Sequence, residues 1–361
     1  MSNIDASKAN AGCVGPSSEE AGRAAACAGC PNAAACASGA GRTIDETPAI
    51  VRARLANVRH KIVVLSGKGG VGKSTVACQV AFALAAKGHA VGLLDVDICG
   101  PSVPRMLGLT GRGVHRSSTG WSPVFVDSKG ELGVMSVGFL LPDNDNAVIW
   151  RAPRKNGLIK QFLTEVDWGD LDFLVIDTPP GTSDEQITIA TYLKLADVSG
   201  AIVVTTPQEI SMQDVRKELN FCAKSKLPVL GVVENMATVR TPLTDVRFID
   251  KRTGNDDTPA IQERLAEFLQ THDVCVDAFV PPDKNAGPEA MAKAFRVPYL
   301  GALPLDPELT KACEAGVYFA DATPNSPAAK PFQKALDAIL AALPPRPVPG
   351  DDNDDDGEIE K

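Results

Sequence analysis

The sequence predicts an α/β chain: a doubly wound, mostly parallel sheet flanked by helices, with a flexible cysteine-bearing arm in front of it. Three observations predict this. Seven short apolar runs recur along the chain, most of them separated by stretches of helical length. The runs are built from Val, Leu, Ile and Ala, while aromatics make up only 5% of the chain, as suits strands buried on both faces. A glycine-rich loop, SGKGGVGKST (66–75), joins the first run to the first long helical stretch, at the carboxyl end of a strand where such sheets bind ligands.

Residues 1–47 are rich in Ala, Gly, Ser and Cys and nearly devoid of large aliphatics, so they are read as a flexible arm without a packed core of its own. The strand candidates then follow in order: KIVVL (61–65), AVGLLD (90–95), LGVMSV (132–137), FLVIDT (173–178), AIVVTT (201–206), VLGVVE (229–234) and YLGALP (299–304). STVACQVAFALAAKG is the first helix, with Gly88 as its stop, and EISMQDVRKELNFCAK is a later one. A polar stretch at 237–288 interrupts the rhythm and reads as an atypical insert. PFQKALDAILAAL (331–343) is the last helix, stopped by PPRPVP, and 346–361 is an acidic disordered tail. The body of the chain is thus a single domain over 48–345.

The formal charge is −9, and the last eleven residues hold seven acids against one lysine. The remainder is near neutral, which gives no reason to expect nucleic-acid binding. No run of 18 apolar residues is present, and the opening MSNIDASKAN lacks the features of an export or import signal. A cytoplasmic location is the expectation, and nine cysteines there suggest metal ligands or redox groups before disulfides.

Gly67, Gly72, Lys73 and Ser74 fill the G-x-x-x-x-G-K-[ST] template in the required context of a strand before and a helix after. Gly67, Gly69, Gly70 and Gly72, with Lys68, Val71 and Thr75 between and beyond them, let backbone N–H groups crowd around phosphate oxygens. Lys73 is expected at the β- and γ-phosphates and Ser74 on Mg²⁺. FLVIDTPPGTSDE ends an apolar strand in Asp177, where Mg²⁺ needs a direct or indirect carboxylate partner. LLDVDICGPS adds Asp95 and Asp97. Asp97, beyond the strand, is the candidate to orient the attacking water, and Asp95 is structural or close to Mg²⁺.

Cys13, Cys27, Cys30 and Cys36 form the pattern C-x₁₃-C-x₂-C-x₅-C inside the arm. Thiolates are soft ligands, and this spacing suits an iron–sulfur cluster or a structural zinc; unliganded thiols are the third reading. Cys78 and Cys222 lie in apolar helical contexts and read as core filler.

The GKGGVGKS loop, the D-x-D segment and the DTPPGTSD loop together resemble the deviant P-loop ATPases of the Min/Par, nitrogenase-iron-protein and Mrp group. The resemblance implies that Lys68 crosses a nucleotide-sandwich dimer to the partner's phosphates, and that Asn235 of VVENMA recognises adenine. The four-cysteine arm ahead of this loop is similar to the nucleotide-binding protein 35 branch of the Mrp family, scaffolds of cytosolic iron–sulfur protein assembly. IWRAPRKNGLIKQFLTEVDWGDLDFLVIDTPPGTSDE, TPQEISMQDVRKELNF and VPYLGALPLDPEL carry the resemblance further. It implies a slow, regulatory Mg-dependent ATPase, a [4Fe-4S] cluster on Cys13, Cys27, Cys30 and Cys36, apo iron–sulfur proteins as recipients, and a related partner subunit or a homodimer.

One departure matters. The family's C-P-x-C pair, which bridges a second cluster between subunits, is missing after Asn235, where the chain reads ATVRTPLTDVRFID; Cys275 is the next cysteine. A second bridging cluster is therefore in doubt. Two other functions stay open on sequence: a positioning ATPase of the Min/Par type and a zinc-stapled nucleotide-binding adaptor. A membrane form of the former needs a basic amphipathic end, whereas this chain ends in LDAILAALPPRPVPGDDNDDDGEIEK, which anionic lipid would repel.

Overall fold

The structure, a computed structural model, describes residues 8–10, 12–15, 18, 20–38, 46–98, 100–127, 129–140, 152–182, 184–272, 274–279 and 287–344. The acidic tail and Cys99 lie outside the described residues. The chain divides into two units, Met1–Ala49 and Ile50–Lys361.

The first unit holds a 3-10 turn at Ala25–Cys27 and a short helix α1 (Ala33–Ala37). It has more local order than its composition suggests. Asn10 Nδ2 donates to the carbonyls of Ala26 (3.1 Å) and Ala28 (3.0 Å). Gly22, at φ +77°, comes so close to α1 that a Cβ there would lie 2.4 Å from the Ala37 nitrogen. Small residues replace a core here by letting backbones touch.

The second unit opens with α2 (Thr47–Arg54), which begins just before the boundary. β1 (Val58–Ser66), α3 (Lys73–Ala86), β2 (Val91–Asp95) and α4 (Val103–Met106) follow. Then come the short β3 (His115–Arg116), β4 (Trp121–Ser122) and β5 (Val124–Phe125), and β6 (Leu132–Ser136). Next are α5 (Ala152–Glu165), β7 (Leu171–Asp177), α6 (Asp184–Lys194), β8 (Gly200–Thr205), α7 (Glu209–Ser225) and β9 (Val229–Glu234). The insert supplies β10 (Thr238–Pro242), α8 (Thr258–Thr271) and β11 (Cys275–Phe279). α9 (Pro288–Phe295), β12 (Tyr299–Ala302), α10 (Pro307–Ala315), α11 (Phe319–Ala322) and α12 (Ala329–Ala342) complete the order.

Eight strands form one sheet in the order β12-β9-β8-β1-β7-β2-β6-β5, parallel throughout except for β5 against β6. All seven predicted strands belong to it. β5 was not anticipated, because two residues carry no periodicity. Alternate residues of β1 enter opposite cores: Ile62 and Val64 pack with α3 and α12, while Val63 and Leu65 pack with α5, α6 and α7. Burial on both faces explains why the strands read as unbroken apolar runs. The insert folds β10 and β11 into an antiparallel pair with α8 between them in sequence. Among the described residues no helix is long and apolar enough to cross a membrane.

Candidate nucleotide site and cysteine arm

The carboxyl ends of β1, β2 and β7 meet around the glycine-rich loop. Register explains the meeting: Asp95 of β2 is the direct partner of Asp177 on β7 and of Ser136 on β6, and Asp177 pairs on its other side with Val64 of β1. In-register parallel partners project side chains to the same face about 4.8 Å apart. Two carboxylates are thereby placed side by side.

Lys73 answers that charge. Its Nζ lies 2.6 Å from Asp177 Oδ1, 3.8 Å from Asp97 Oδ2 and 3.2 Å from Ser74 Oγ. Lys73 and Asp177 are both buried, a setting in which the pair is held strongly only because it is well matched. Asp177 Oδ2 has no hydrogen-bond partner among the described residues, though it is fully buried. An orphaned carboxylate oxygen on a residue that shares Lys73 with the Ser74 hydroxyl fits an oxygen-seeking divalent cation.

Asp95 differs from Asp97. Ser136 Oγ donates to Asp95 Oδ2 (2.7 Å), and the Asp97 backbone nitrogen donates to Asp95 Oδ1 (3.0 Å). Burial first, then the neighbouring charge of Asp177, pushes the Asp95 carboxyl up to about 8; Ser136, Lys73 and the Asp97 amide pull the other way. Asp95 thus shapes the D-x-D turn, and Asp97 reaches toward Lys73. Ser136 was missed in the sequence, although LGVMS ends at the same level as the two aspartates.

The loop itself is held from three sides. Thr178 Oγ1 donates to the Val64 carbonyl (2.8 Å), and the Gly181 nitrogen donates to the Ser66 carbonyl (2.8 Å). A Cβ on Gly67 would sit 2.5 Å from the Asp214 backbone carbon of α7, so only glycine permits that approach. Gly72 adopts φ +84°, and Asn235 Nδ2 donates to the Val71 carbonyl at 2.9 Å. Asn235, expected at adenine, here clasps the phosphate loop. It also lines a cleft of about 270 Å³ with Thr75, Met236, Pro304, Leu305 and Asp306. Asp306 is fixed there by accepting from the Glu308 and Ala328 nitrogens and the Ser326 hydroxyl. Thr75 and Asn235 were expected at the nucleotide, whereas Asp306 had no role assigned in the sequence. A larger cavity of about 760 Å³ lies at the opposite, amino ends of the strands, around Lys61, Asp172 and Asp197.

Lys68, Gly69 and Gly70 are exposed. The Lys68 carbonyl accepts from Ser66 Oγ (3.1 Å), and its ammonium is close enough to Asp214 to help hold that carboxyl below its usual range, behind the larger effect of Lys217.

In the arm, Cys13 is exposed, Cys27 and Cys30 are half-buried and Cys36 is buried. Burial raises the Cys36 thiol, and the charges of Cys30, Cys13 and Cys27, in that order, raise it further. The other three thiols of the arm therefore act on Cys36. Among the described residues no group of three or more His, Cys, Asp or Glu is gathered closely enough to hold a metal ion. The insert places Cys275, which is exposed, opposite Pro242 of the T-P-L-T stretch 241–244, within the segment that lacks the C-P-x-C pair.

A family model described as NUBPL iron-transfer P-loop NTPase, of the ParA type, matches residues 57–277, more than half of the chain. The chain belongs to that family. Among solved structures, this NUBPL-type NTPase is similar to a nucleotide-binding protein from Archaeoglobus fulgidus in complex with ADP and with cobalt. The two are 32% identical over 75% of this chain and 92% of that one, with a TM-score of 0.55. The cell division ATPase MinD of Pyrococcus furiosus is 21% identical over 79% of this chain and 99% of its own, with a TM-score of 0.48. MinD of Pyrococcus horikoshii, complexed with Mg-ADP, is 20% identical over 78% and 97%, with a TM-score of 0.47. A nucleotide-hydrolysing site on a P-loop sheet is what this NUBPL-type NTPase carries, and the family's description adds iron transfer.

Proposed function

We propose that this NTPase is an ATP-driven scaffold that assembles [4Fe-4S] clusters and hands them to apoproteins of the cytosol and nucleus, in the manner of the nucleotide-binding protein 35 branch of the Mrp family. The observation that carries the reading is the arm: four cysteines, three of which act on Cys36, on a chain whose NTPase body belongs to an iron-transfer family. Cys13, Cys27, Cys30 and Cys36 would hold the cluster, since four thiolates are the donor set such a cluster takes. Burial, and behind it the charges of the neighbouring thiols, raise the Cys36 thiol, and a bound iron–sulfur core would offset both.

At the nucleotide site, Ser74 and Asp177 would hold Mg²⁺, which when bound neutralises charge on the β- and γ-phosphates. Lys73 shifts its ammonium from the carboxylates to the phosphate oxygens. Asp97, beside Lys73, orients the attacking water. Lys68, exposed at the loop's outer edge, reaches the phosphates of a second subunit and stabilises the transferred phosphoryl group there. The adenine lies in the cleft beside Asn235 and Asp306. The working unit is a dimer, with itself or with a related subunit, and hydrolysis is slow and serves cluster loading or release.

The test is anaerobic reconstitution of the full chain with iron and sulfide, beside the Cys27→Ala/Cys30→Ala variant. About four iron and four sulfide per chain, with a reduced-state EPR signal lost in the variant, supports the scaffold. Zinc, or no metal, overturns it in favour of an adaptor.

A further inference from the structure

Helix α7 buries a carboxyl group that the nucleotide chemistry above does not use. Glu218 is fully buried, and neither of its carboxyl oxygens has a hydrogen-bond partner among the described residues. Gln186 of α6 is equally buried and lies against it, close enough for its amide to act on the Glu218 carboxyl. Gln186 Nε2 donates to the carbonyl of Pro179 at 2.9 Å, while its Oε1 is also unpartnered. Three buried oxygens are thus left facing a shared need for a donor, which costs more than any of them gains by staying bare. Turning the Gln186 amide over does not help, because its oxygen would then face the Pro179 carbonyl.

We propose that Glu218 is protonated and donates to Gln186 Oε1, and that this pair makes Glu218 a positioning residue for the loop following Asp177. One proton satisfies both sides of the contact and fixes the orientation in which Gln186 grips Pro179. The rest of that loop is tied to β1, through Thr178 on Val64 and Gly181 on Ser66. Gln186 is the tie from the other side. Burial pushes Glu218 up to about 7 and the charge of Asp214 adds to this, while the Gln186 amide pulls the other way. Asp214 is itself bonded to Lys217 (2.8 Å), and Cys222 on the same helix is held protonated, up to about 12. On the neighbouring elements Glu185 is paired with Lys155 (3.3 Å), Glu289 acts on Glu234 and Tyr299, and Lys61 senses Asp197. No cation on these elements is partnered with Glu218 among the described residues.

The experiment uses the full chain as wild type, Glu218→Gln and Glu218→Ala, following ATP hydrolysis from about pH 6 to about pH 9. Infrared spectra of the same samples follow the carbonyl stretch of protonated carboxylic acids. Wild-type kcat is expected to fall as pH rises through about 7. Glu218→Gln, whose amide donates to Gln186 at every pH, should keep the low-pH rate and lose that bend. Glu218→Ala should lose about tenfold at all pH values, the effect of one buried hydrogen bond. The acid band at low pH should be smaller in Glu218→Gln than in wild type. Asp95 titrates in both proteins, so the difference between their profiles isolates Glu218. The proposal is overturned if Glu218→Gln loses rate like Glu218→Ala, if its profile bends as the wild type does, or if the acid band is unchanged. Should Glu218→Ala not fold, the comparison of wild type with Glu218→Gln decides alone. If none of the proteins hydrolyses ATP, the infrared band, with amide exchange at Thr178 and Gly181, decides in place of the profile.

Discussion

Asp95 and Asp177 stand side by side in register at the ends of β2 and β7, one kept protonated by burial, the other paired with Lys73. A shared proton economy follows from the geometry. Two adjacent buried carboxyls cannot both ionise cheaply, and only one of this pair has the ammonium of Lys73 at 2.6 Å. That asymmetry makes Asp177 the partner of Lys73 and Asp95 the scaffold of the turn.

Stability should therefore depend on pH through Asp95. Its carboxyl lies near 3.8 when unperturbed and at about 8 in the fold, so across that window the native state binds more protons than the unfolded chain. Stability is highest below the lower value, falls as pH rises, and levels off above about 8. Asp95→Asn keeps a neutral group at the same place and should flatten the slope. Urea unfolding of both proteins at several pH values between these limits tests this, and parallel slopes would count against it.

Asp177→Asn should separate binding from chemistry. The variant removes the 2.6 Å partner of Lys73 and the buried oxygen offered to Mg²⁺. Hydrolysis is expected to fall by about 100-fold or more, the scale of losing one charge-stabilising group. ADP affinity in the absence of metal should change by only about threefold, because the backbone cradle remains. Calorimetric titration beside a phosphate-release assay reports both quantities.

The clasp between Asn235 and Val71 predicts an unequal pair of variants. A Cβ on Gly72 would lie 2.2 Å from Asn235 Nδ2 and would sit at φ +84°. Gly72→Ala should cost about 1–3 kcal/mol in backbone strain alone and distort the loop. Asn235→Ala loses one hydrogen bond, about 1 kcal/mol, and leaves the loop conformation accessible. Thermal melting with and without ADP should show a ligand shift that survives in Asn235→Ala and disappears in Gly72→Ala.

Lys68 predicts the opposite of a folding defect. It is exposed, and its side chain acts on Asp214 only through charge. Lys68→Gln should leave the melting temperature and ADP affinity close to wild type, since surface changes cost little. Its ATPase rate should fall by about 10³-fold if it completes a neighbouring site, the scale of a finger contributed in trans. Mixing Lys68→Gln with a Lys73-defective chain should restore part of the rate, and sedimentation with nucleotide reports the dimer.

Much of the body was legible because its signals are local. Apolar runs such as KIVVL and FLVIDT must be buried on two faces, and glycines must surround a phosphate, so the parallel sheet, its helices and Gly67 to Thr75 could be read residue by residue. Asp177 was legible because it ends a strand beside a Pro/Gly-rich loop. What the tertiary structure alone decided depends on register and on packing between distant segments. Sequence could not tell that Asp95 would be the protonated neighbour of Asp177, because that follows from how β2 lies against β7. Asn235 gripping Val71 joins residues 164 apart. Glu218 lies in a helix whose sequence gives it no special mark, and only the packing buries its carboxyl with no hydrogen-bond partner among the described residues. Periodicity selects the elements; only their contact sets the protonation of the groups between them.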